Sequence, residues 1–378
     1  MRGHLGVAVA AVLFATACAV APVNGTPSAV HQPMPPSVPA EQQTDSFTMI
    51  ATGDVLIHPA LTEQAARDAV DTGQGEHDYR PLLAGVKDPI SAADLAICHL
   101  EVPLAPAGGP YSGYPSFRAP PELAGALADT GYDACSTASN HTLDQGADGV
   151  HRTLDALDEA GIRHTGSART EREAATPLVL DVAGVKVGHV SFTFGFNGYP
   201  LPEGKPWMSN QLDPDAVTYA AEEARDAGAD VVVASLHWGS EYQHEPTEDQ
   251  RLLAERLLAE ESIDLILGHH AHVVQPIESI DGEWVAYGLG NHVAKHAEPR
   301  GTSEEGIAAR FRFARTADGW RVDRAEYIPT LIELGPPIRL IDLTASEPTD
   351  RRTEALNRTD GVVLDEGGDE DGLTRPRQ

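Results

Sequence analysis

Cysteine is scarce, with three in 378 residues. A disulfide-stapled scaffold needs more of them in a much smaller domain, so that class is excluded. Cys98 and Cys135 each close an apolar run and read as inert buried thiols, with a single bridge between them as the alternative. Positive charge is also in short supply. Lys and Arg number 27 against 57 Asp and Glu, a formal net charge of −30. No basic stripe rises above that background, which excludes nucleic-acid binding. Such acidity favours solubility and suits a cationic cofactor. It repels a polyanionic substrate unless bound metal reverses the local field. Internal repeats are absent.

The apolar run from Leu5 to Phe14 follows Arg2 and is too short for a comfortable membrane span. With Ala15-Thr16-Ala17-Cys18 after it, the segment reads as a signal peptide (1–18) ending in a lipobox-like cysteine. A lipid anchor through Cys18 and an extracytoplasmic, membrane-tethered location are expected, with plain secretion as the alternative. Residues 19–45 contain six prolines and read as a disordered linker. Residues 46–345 form the folded domain, and residues 346–378, polar and rich in Gly and Asp, are expected to be disordered.

Helices and strands alternate within the domain. Pro120-Pro121-Glu122 opens a helix that Gly131 closes. Gly146 to Ala160 places Val150, Leu154 and Leu157 on one face. Asp213 to Ala227 is a helix stopped by Gly228, and Thr247 with Gln250 predicts a capping box. Pro177 to Phe194 predicts a hairpin around Ala183-Gly184. Segments 284–288, 306–314 and 320–327 read as further strands. The sum is an α/β protein.

The chemistry collects at strand ends. Ile263-Asp264-Leu265-Ile266-Leu267 runs into Gly268-His269-His270-Ala271-His272. In an extended segment His270 and His272 would point the same way, a ready pair of metal-binding imidazoles. Four more apolar runs end in Gly53-Asp54, His99-Leu100-Glu101, Ser139-Asn140-His141 and His237-Trp238-Gly239. Open α/β sheets place their sites beyond the carboxyl ends of strands. Five strands ending in Asp, Glu, Asn or His therefore predict one site. His269, His292 and His58 read as loop or non-ligand histidines.

The ordered set Gly53-Asp54, Leu100-Glu101-Val102-Pro103, Ser139-Asn140-His141-Thr142-Leu143-Asp144, His237-Trp238-Gly239-Ser240-Glu241-Tyr242, Gly268 to Gln275 and Tyr287-Gly288-Leu289-Gly290-Asn291 resembles the CapA family of poly-γ-glutamate capsule-synthesis proteins. That family is a branch of the calcineurin-like metallophosphoesterases. The resemblance implies a four-layer α/β/β/α sandwich of the metallophosphoesterase type, holding up to two divalent ions (Mn, Fe or Zn). It implies that Asp54 and His272 bind the first ion, Asn140, His237 and His270 the second, and that Glu101 bridges them. His141 would be the catalytic histidine, oriented by Asp144. Two ions about 3.5–4 Å apart can clamp the oxygens of an in-line displacement. The chain departs from the superfamily in lacking a histidine in Asp54-Val55-Leu56, and from the family in placing His99 where an asparagine is usual. His99 reads as a spare ligand or as a group behind the ligands.

The resemblance implies a role in capsule or envelope polymer synthesis on an anionic γ-glutamyl polymer, with membrane capsule-synthesis proteins as partners. A metal-dependent phosphoesterase acting on an extracellular phosphoester, and a non-catalytic polymer-binding scaffold, are the alternatives.

Overall fold

The computed structural model describes residues 45–376. The expected signal peptide, Cys18 and nearly all of the Pro-rich linker lie outside the described residues. The first half of the fold comprises β1 (Ser46–Leu56), α1 (Pro59–Thr72), α2 (Arg80–Leu83), α3 (Lys87–Ser91), β2 (Leu95–Leu100), α4 (Glu122–Thr130), β3 (Ala134–Ser136), α5 (Gly146–Ala160) and β4 (Arg163–Thr165). Next come α6 (Glu171–Ala174), β5 (Leu178–Val182), β6 (Val185–Thr193), α7 (Pro214–Asp226), β7 (Val231–His237), α8 (Glu248–Leu258), β8 (Leu265–His269), β9 (Ile277–Ile280) and β10 (Glu283–Ala286). The chain finishes with β11 (Asn291–Ala294), β12 (Glu305–Thr316), β13 (Gly319–Glu333), β14 (Arg339–Asp342) and α9 (Asp350–Val363).

Two mixed sheets result. One has the order β14-β13-β12-β1-β2-β3-β4, with β11 also paired to β1; the other runs β5-β6-β7-β8-β10-β9. Strand β1 is parallel to β2, β2 to β3 and β3 to β4, while β6, β7, β8 and β10 are parallel in the second sheet. The period-2 alternation of side chains sorts the core into layers. Met49, Ala51, Leu95 and Ile97 of the first sheet meet Val231, Val233, Leu265 and Leu267 of the second. Ile50, Ala96 and Leu100 face the opposite way, onto Leu61, Leu123, Leu127, Leu154 and Leu157 of the helices. Val232, Ala234 and Ile266 likewise face Val217, Ala221 and Leu257 of α7 and α8. The order is therefore helix, sheet, sheet, helix, as expected. Among the described residues no helix is long and apolar enough to cross a membrane.

The local signals act as read. Gly131 and Gly161 end α4 and α5 in the left-handed conformation, Asp213 accepts from Ala216 N–H, and Thr247 and Gln250 cap each other reciprocally. The hairpin forms between β5 and β6 around Ala183-Gly184.

Three expectations need correction. Cys98 and Cys135 form a disulfide between β2 and β3 rather than standing as free thiols. His292 lies buried in β11, held by the Tyr132 hydroxyl at 2.8 Å, and not in a loop. Of the expected disordered tail, 346–378, the described residues 346–376 are ordered: Thr349 caps α9, and the helix packs on β12 and β13. Arg351 and Arg358 both reach the buried Glu305, Arg352 reaches Glu333, and Thr374 pairs with the backbone of β13. These long-range ion pairs are invisible in a composition that looks merely polar.

Candidate metal centre

The parallel strands of both sheets finish at the same edge of the sandwich, and the site lies there. The first sheet supplies Asp54 from β1, Glu101 just beyond β2 and Asn140 from the loop after β3. The second supplies His237, the last residue of β7, with His269 at the end of β8 and His270 and His272 just after it. Two glycines let backbones approach closely enough. A Cβ on Gly53 would stand 2.0 Å from the Gly290 carbonyl oxygen, and one on Gly268 would stand 1.8 Å from that of Tyr287. Strand β1 accordingly continues through Asp54, whose N–H donates to Gly290 O at 2.9 Å.

The His-rich segment does not reach the site as an extended strand. His270 and His272 both have positive φ, 87° and 55°. For residues carrying a Cβ this is strained backbone, which folded proteins hold mainly at functional sites. The turn puts their rings 6.0 Å apart, with His270 4.7 Å from His237.

Glu101 sits between the two imidazole groups. Its Oε1 is 3.8 Å from His272 Nε2 and 4.0 Å from His237 Nε2. His237 Nε2 is 3.1 Å from Asn140 Oδ1. Asp54 Oδ2 accepts from the His270 N–H at 3.2 Å and lies 3.1 Å from His272 Nδ1. His272 Nδ1 is also 3.0 Å from Asn291 Oδ1, the arrangement of an N–H donated backwards, which leaves Nε2 facing Glu101. His141 Nδ1 meets Asp144 Oδ2 at 2.7 Å, and the Phe117 N–H anchors that same oxygen at 2.7 Å. All eight residues read from the sequence are thus brought to one edge of the sandwich.

His269, read from the sequence as a loop histidine, and His99, read as a spare ligand or a group behind the ligands, belong here as well. His269 is buried, 3.4 Å from Asp54 Oδ1, and stacked on His99 with ring centroids 4.0 Å apart. His99 is wholly buried and contacts His237. Neither is a loop residue. His269 is the last residue of β8, and His99 lies within β2. Asn291 lay within a quoted motif, but only the fold shows it behind His272. His58 caps the start of α1 and joins none of the ligand clusters.

The electrostatics fit a cation. Burial pushes the Glu101 carboxyl up, His272 opposes this and Asp54 adds to it, and it stands at about 7. Burial also works to raise Asp54, but the imidazoles of His269 and His272 outweigh it and hold it well below its usual value. Burial lowers His237 well below 6.5 and His270 to about 3, keeping both imidazoles neutral, as ligands must be. His272 is the exception: burial opposes its proton, yet Glu101 and Asp54 hold it up at about 10. A positive charge is wanted between these carboxylates, and here a proton stands in its place. Both Glu101 oxygens and His270 Nδ1 are buried without a hydrogen-bond partner. Ligand atoms bound at about 2.0–2.2 Å to one ion lie roughly 3–4 Å apart. The Asn140, His237, Glu101 and His272 atoms have this spacing, so the donor set fits divalent metal. The buried triads Asp54–Glu101–His272 and Asp54–His99–His237 each bring one ligand atom per residue within 4.8 Å of the others.

A four-layer α/β/β/α sandwich with carboxylate, amide and imidazole donors converging at its strand ends defines an α/β protein with a site capable of holding metal. The chain belongs to the family described as "Bacterial capsule synthesis protein PGA_cap", whose profile matches residues 48–296. The Capsule biosynthesis protein CapA of Bacillus anthracis is 30% identical over 271 residues, covering 67% of this chain and 61% of that one. The PGA biosynthesis protein CapA of Bacillus subtilis (strain 168) is 32% identical over 169 residues, 44% of each chain. The chain thus spans less than two thirds of the length of either relative. Among solved structures, a 5'-nucleotidase precursor from Thermus thermophilus is similar at a TM-score of 0.44 and 16% identity, over 83% of this chain and 58% of that one.

Proposed function

We propose that this protein is an extracytoplasmic, metal-dependent member of the capsule-synthesis family, acting on an anionic envelope polymer of the γ-glutamyl type. The carrying observation is Glu101, a buried carboxylate with two unpartnered oxygens set between His237 and His272. The names of the Bacillus relatives support capsule or poly-γ-glutamate synthesis as the process. In this reading Asp54, Glu101 and His272 would hold one divalent ion, and Asn140, His237 and His270, with Glu101 beside them, would hold a second. Bound divalent ions would supply Lewis-acid polarisation and would offset the negative field of the chain toward an anionic substrate.

The protein's own groups supply the rest. Asp144, pinned by the Phe117 N–H, holds His141 through Nδ1, which leaves Nε2 to hold a proton for a leaving group. Asn140, next in sequence, turns its amide to His237. Location outside the membrane, a lipid anchor at Cys18 and cooperation with membrane capsule-synthesis proteins complete the proposal.

The test offers two substrates to the full chain loaded with Mn or Zn: a γ-glutamyl oligomer and a chromogenic phosphodiester. Cleavage of the oligomer that His141→Ala lowers by roughly 100-fold or more, as loss of a general acid does, supports the polymer reading. Cleavage of the phosphodiester alone replaces it with phosphoester hydrolysis. If neither substrate is turned over and wild type and His141→Ala are alike with every metal, the hydrolytic role is wrong.

A further inference from the structure

His99 and Ser136 stand behind the metal-facing residues and have no part in the proposed chemistry. Strand register places them side by side, Cys98 opposite Cys135 and His99 opposite Ser136, with the disulfide joining the residues just before them. A line of hydrogen bonds starts there. Ser136 Oγ donates to the Cys98 carbonyl at 3.4 Å; His99 Nδ1 is 2.8 Å from Ser136 Oγ; His99 Nε2 is 3.0 Å from His237 Nδ1; and His237 Nε2 is 3.1 Å from Asn140 Oδ1. His99, Ser136 and His237 are fully buried, so water does not enter the line.

Such a line of neutral groups has two hydrogen-bond registers. In one, Ser136 donates to His99, His99 to His237, and His237 Nε2 carries a hydrogen toward Asn140. In the other, Ser136 gives its only hydrogen to Cys98 O and must therefore accept from His99 Nδ1–H. His99 Nε2 is then a lone pair that accepts from His237 Nδ1–H, and His237 Nε2 is left bare. The 2.8 Å contact between His99 and Ser136 serves either register; a cation on His237 Nε2 requires the second, in which the Ser136 hydrogen turns to the Cys98 carbonyl at 3.4 Å. Two bare acceptors, His237 Nε2 and Asn140 Oδ1, then face each other at 3.1 Å with no hydrogen between them. That contact is unfavourable unless a cation is shared between them.

We propose that His99 and Ser136 are positioning residues that receive the His237 Nδ1–H, so that Nε2 can present a lone pair to a divalent cation beside Asn140. A metal-binding histidine usually gives its rear N–H to a carboxylate, a carbonyl or water. Here the acceptor is a second imidazole, whose own N–H a hydroxyl can take up in turn. The inference rests on the metal reading of the site, and the experiment separates the two.

Cobalt(II) and zinc(II) affinities of the full chain are measured by calorimetry and elemental analysis for wild type, His99→Leu, His99→Gln and Ser136→Ala. 15N spectra of histidine-labelled wild type locate the hydrogens. The relay predicts that His99→Leu binds roughly 10–100-fold more weakly, the range for loss of such a rear partner. His99→Gln, which keeps an acceptor oxygen, recovers most of that loss, and Ser136→Ala falls between. The zinc-loaded wild type shows hydrogen on His99 Nδ1 and on His237 Nδ1. If His99→Leu does not fold, the 15N assignment and the Ser136→Ala affinity still decide. Wild-type affinity in His99→Leu overturns the relay alone, as do equal losses in folded His99→Gln and His99→Leu, hydrogen on His99 Nε2 in the loaded protein, or an extra ion held by His99 itself. Failure of the wild type to take up any divalent ion overturns the metal reading and the relay together.

Discussion

Around Glu101 the site has two corners built from different chemistry. The corner of Asp54 and His272 is rich in charge: two carboxylates face an imidazole that they hold protonated, at about 10. The corner of Asn140, His237 and His270 is made of neutral donors, with both imidazoles kept unprotonated by burial. A cation entering the first corner must displace a proton. One entering the second meets lone pairs already in place. The comparison separates affinity from readiness. Carboxylates attract a cation more strongly, but they attract a proton too, and the two compete.

The strongest way to break the comparison is to remove what the corners share. Glu101→Gln is expected to weaken divalent-ion binding at both corners by roughly 100-fold or more, beyond the 10–100-fold typical of partners behind the ligands; elemental analysis after dialysis reads this directly. Single-corner variants come next. His237→Ala should lose ions from the neutral corner and His272→Ala from the charged one, each lowering the stoichiometry without abolishing it. Complete loss in both variants would mean that the corners are one site.

The pH dependence sharpens the contrast further. Ion binding at the charged corner must expel the His272 proton and needs Glu101 ionised, so it strengthens as pH rises through about 7. The neutral corner shares the need for ionised Glu101 but has no histidine proton to expel. In the metal-free protein the sign is reversed. Glu101, raised from its ordinary value of 4.5 to about 7, takes stability away as pH climbs between those values, and the favourable pairing of protonated His272 is lost as pH approaches 10. The rise in Tm on adding Mn should therefore grow between pH 5 and 8, and chelation should cancel it. A Tm gain that is flat with pH would remove the distinction between the corners.

Asn291→Leu is a finer probe. It removes the acceptor behind His272 Nδ1 and should cost roughly 10–100-fold in affinity at the charged corner only. Arg358→Ala serves as the far control. It removes one of two guanidinium partners of the buried Glu305 and should lower unfolding stability by about 1.5–3 kcal/mol while leaving ion uptake unchanged.

The sequence made the layers legible because apolar periodicity and helix caps are local signals. Gly131, Gly161, Asp213 and the Thr247–Gln250 box each act within one turn. The site residues were legible because their types are rare at strand ends. What stayed hidden depends on distance in space. His269 reads as loop until β8 is seen to run through it. His270 and His272 read as an extended pair until the left-handed turn is seen. The final helix reads as disorder until Arg351 and Arg358 find Glu305 across β12. The role of Asn291 behind His272 is set by the pairing of β11 with β1, which no run of neighbouring residues encodes.

Elemental analysis of the purified full chain, wild type beside Glu101→Gln, after exposure to Mn and Zn and dialysis into metal-free buffer, tests the account most directly. Retained divalent ion in the wild type and its loss in Glu101→Gln is the predicted result. A wild type that retains none, or a Glu101→Gln variant that retains as much as the wild type, would contradict it.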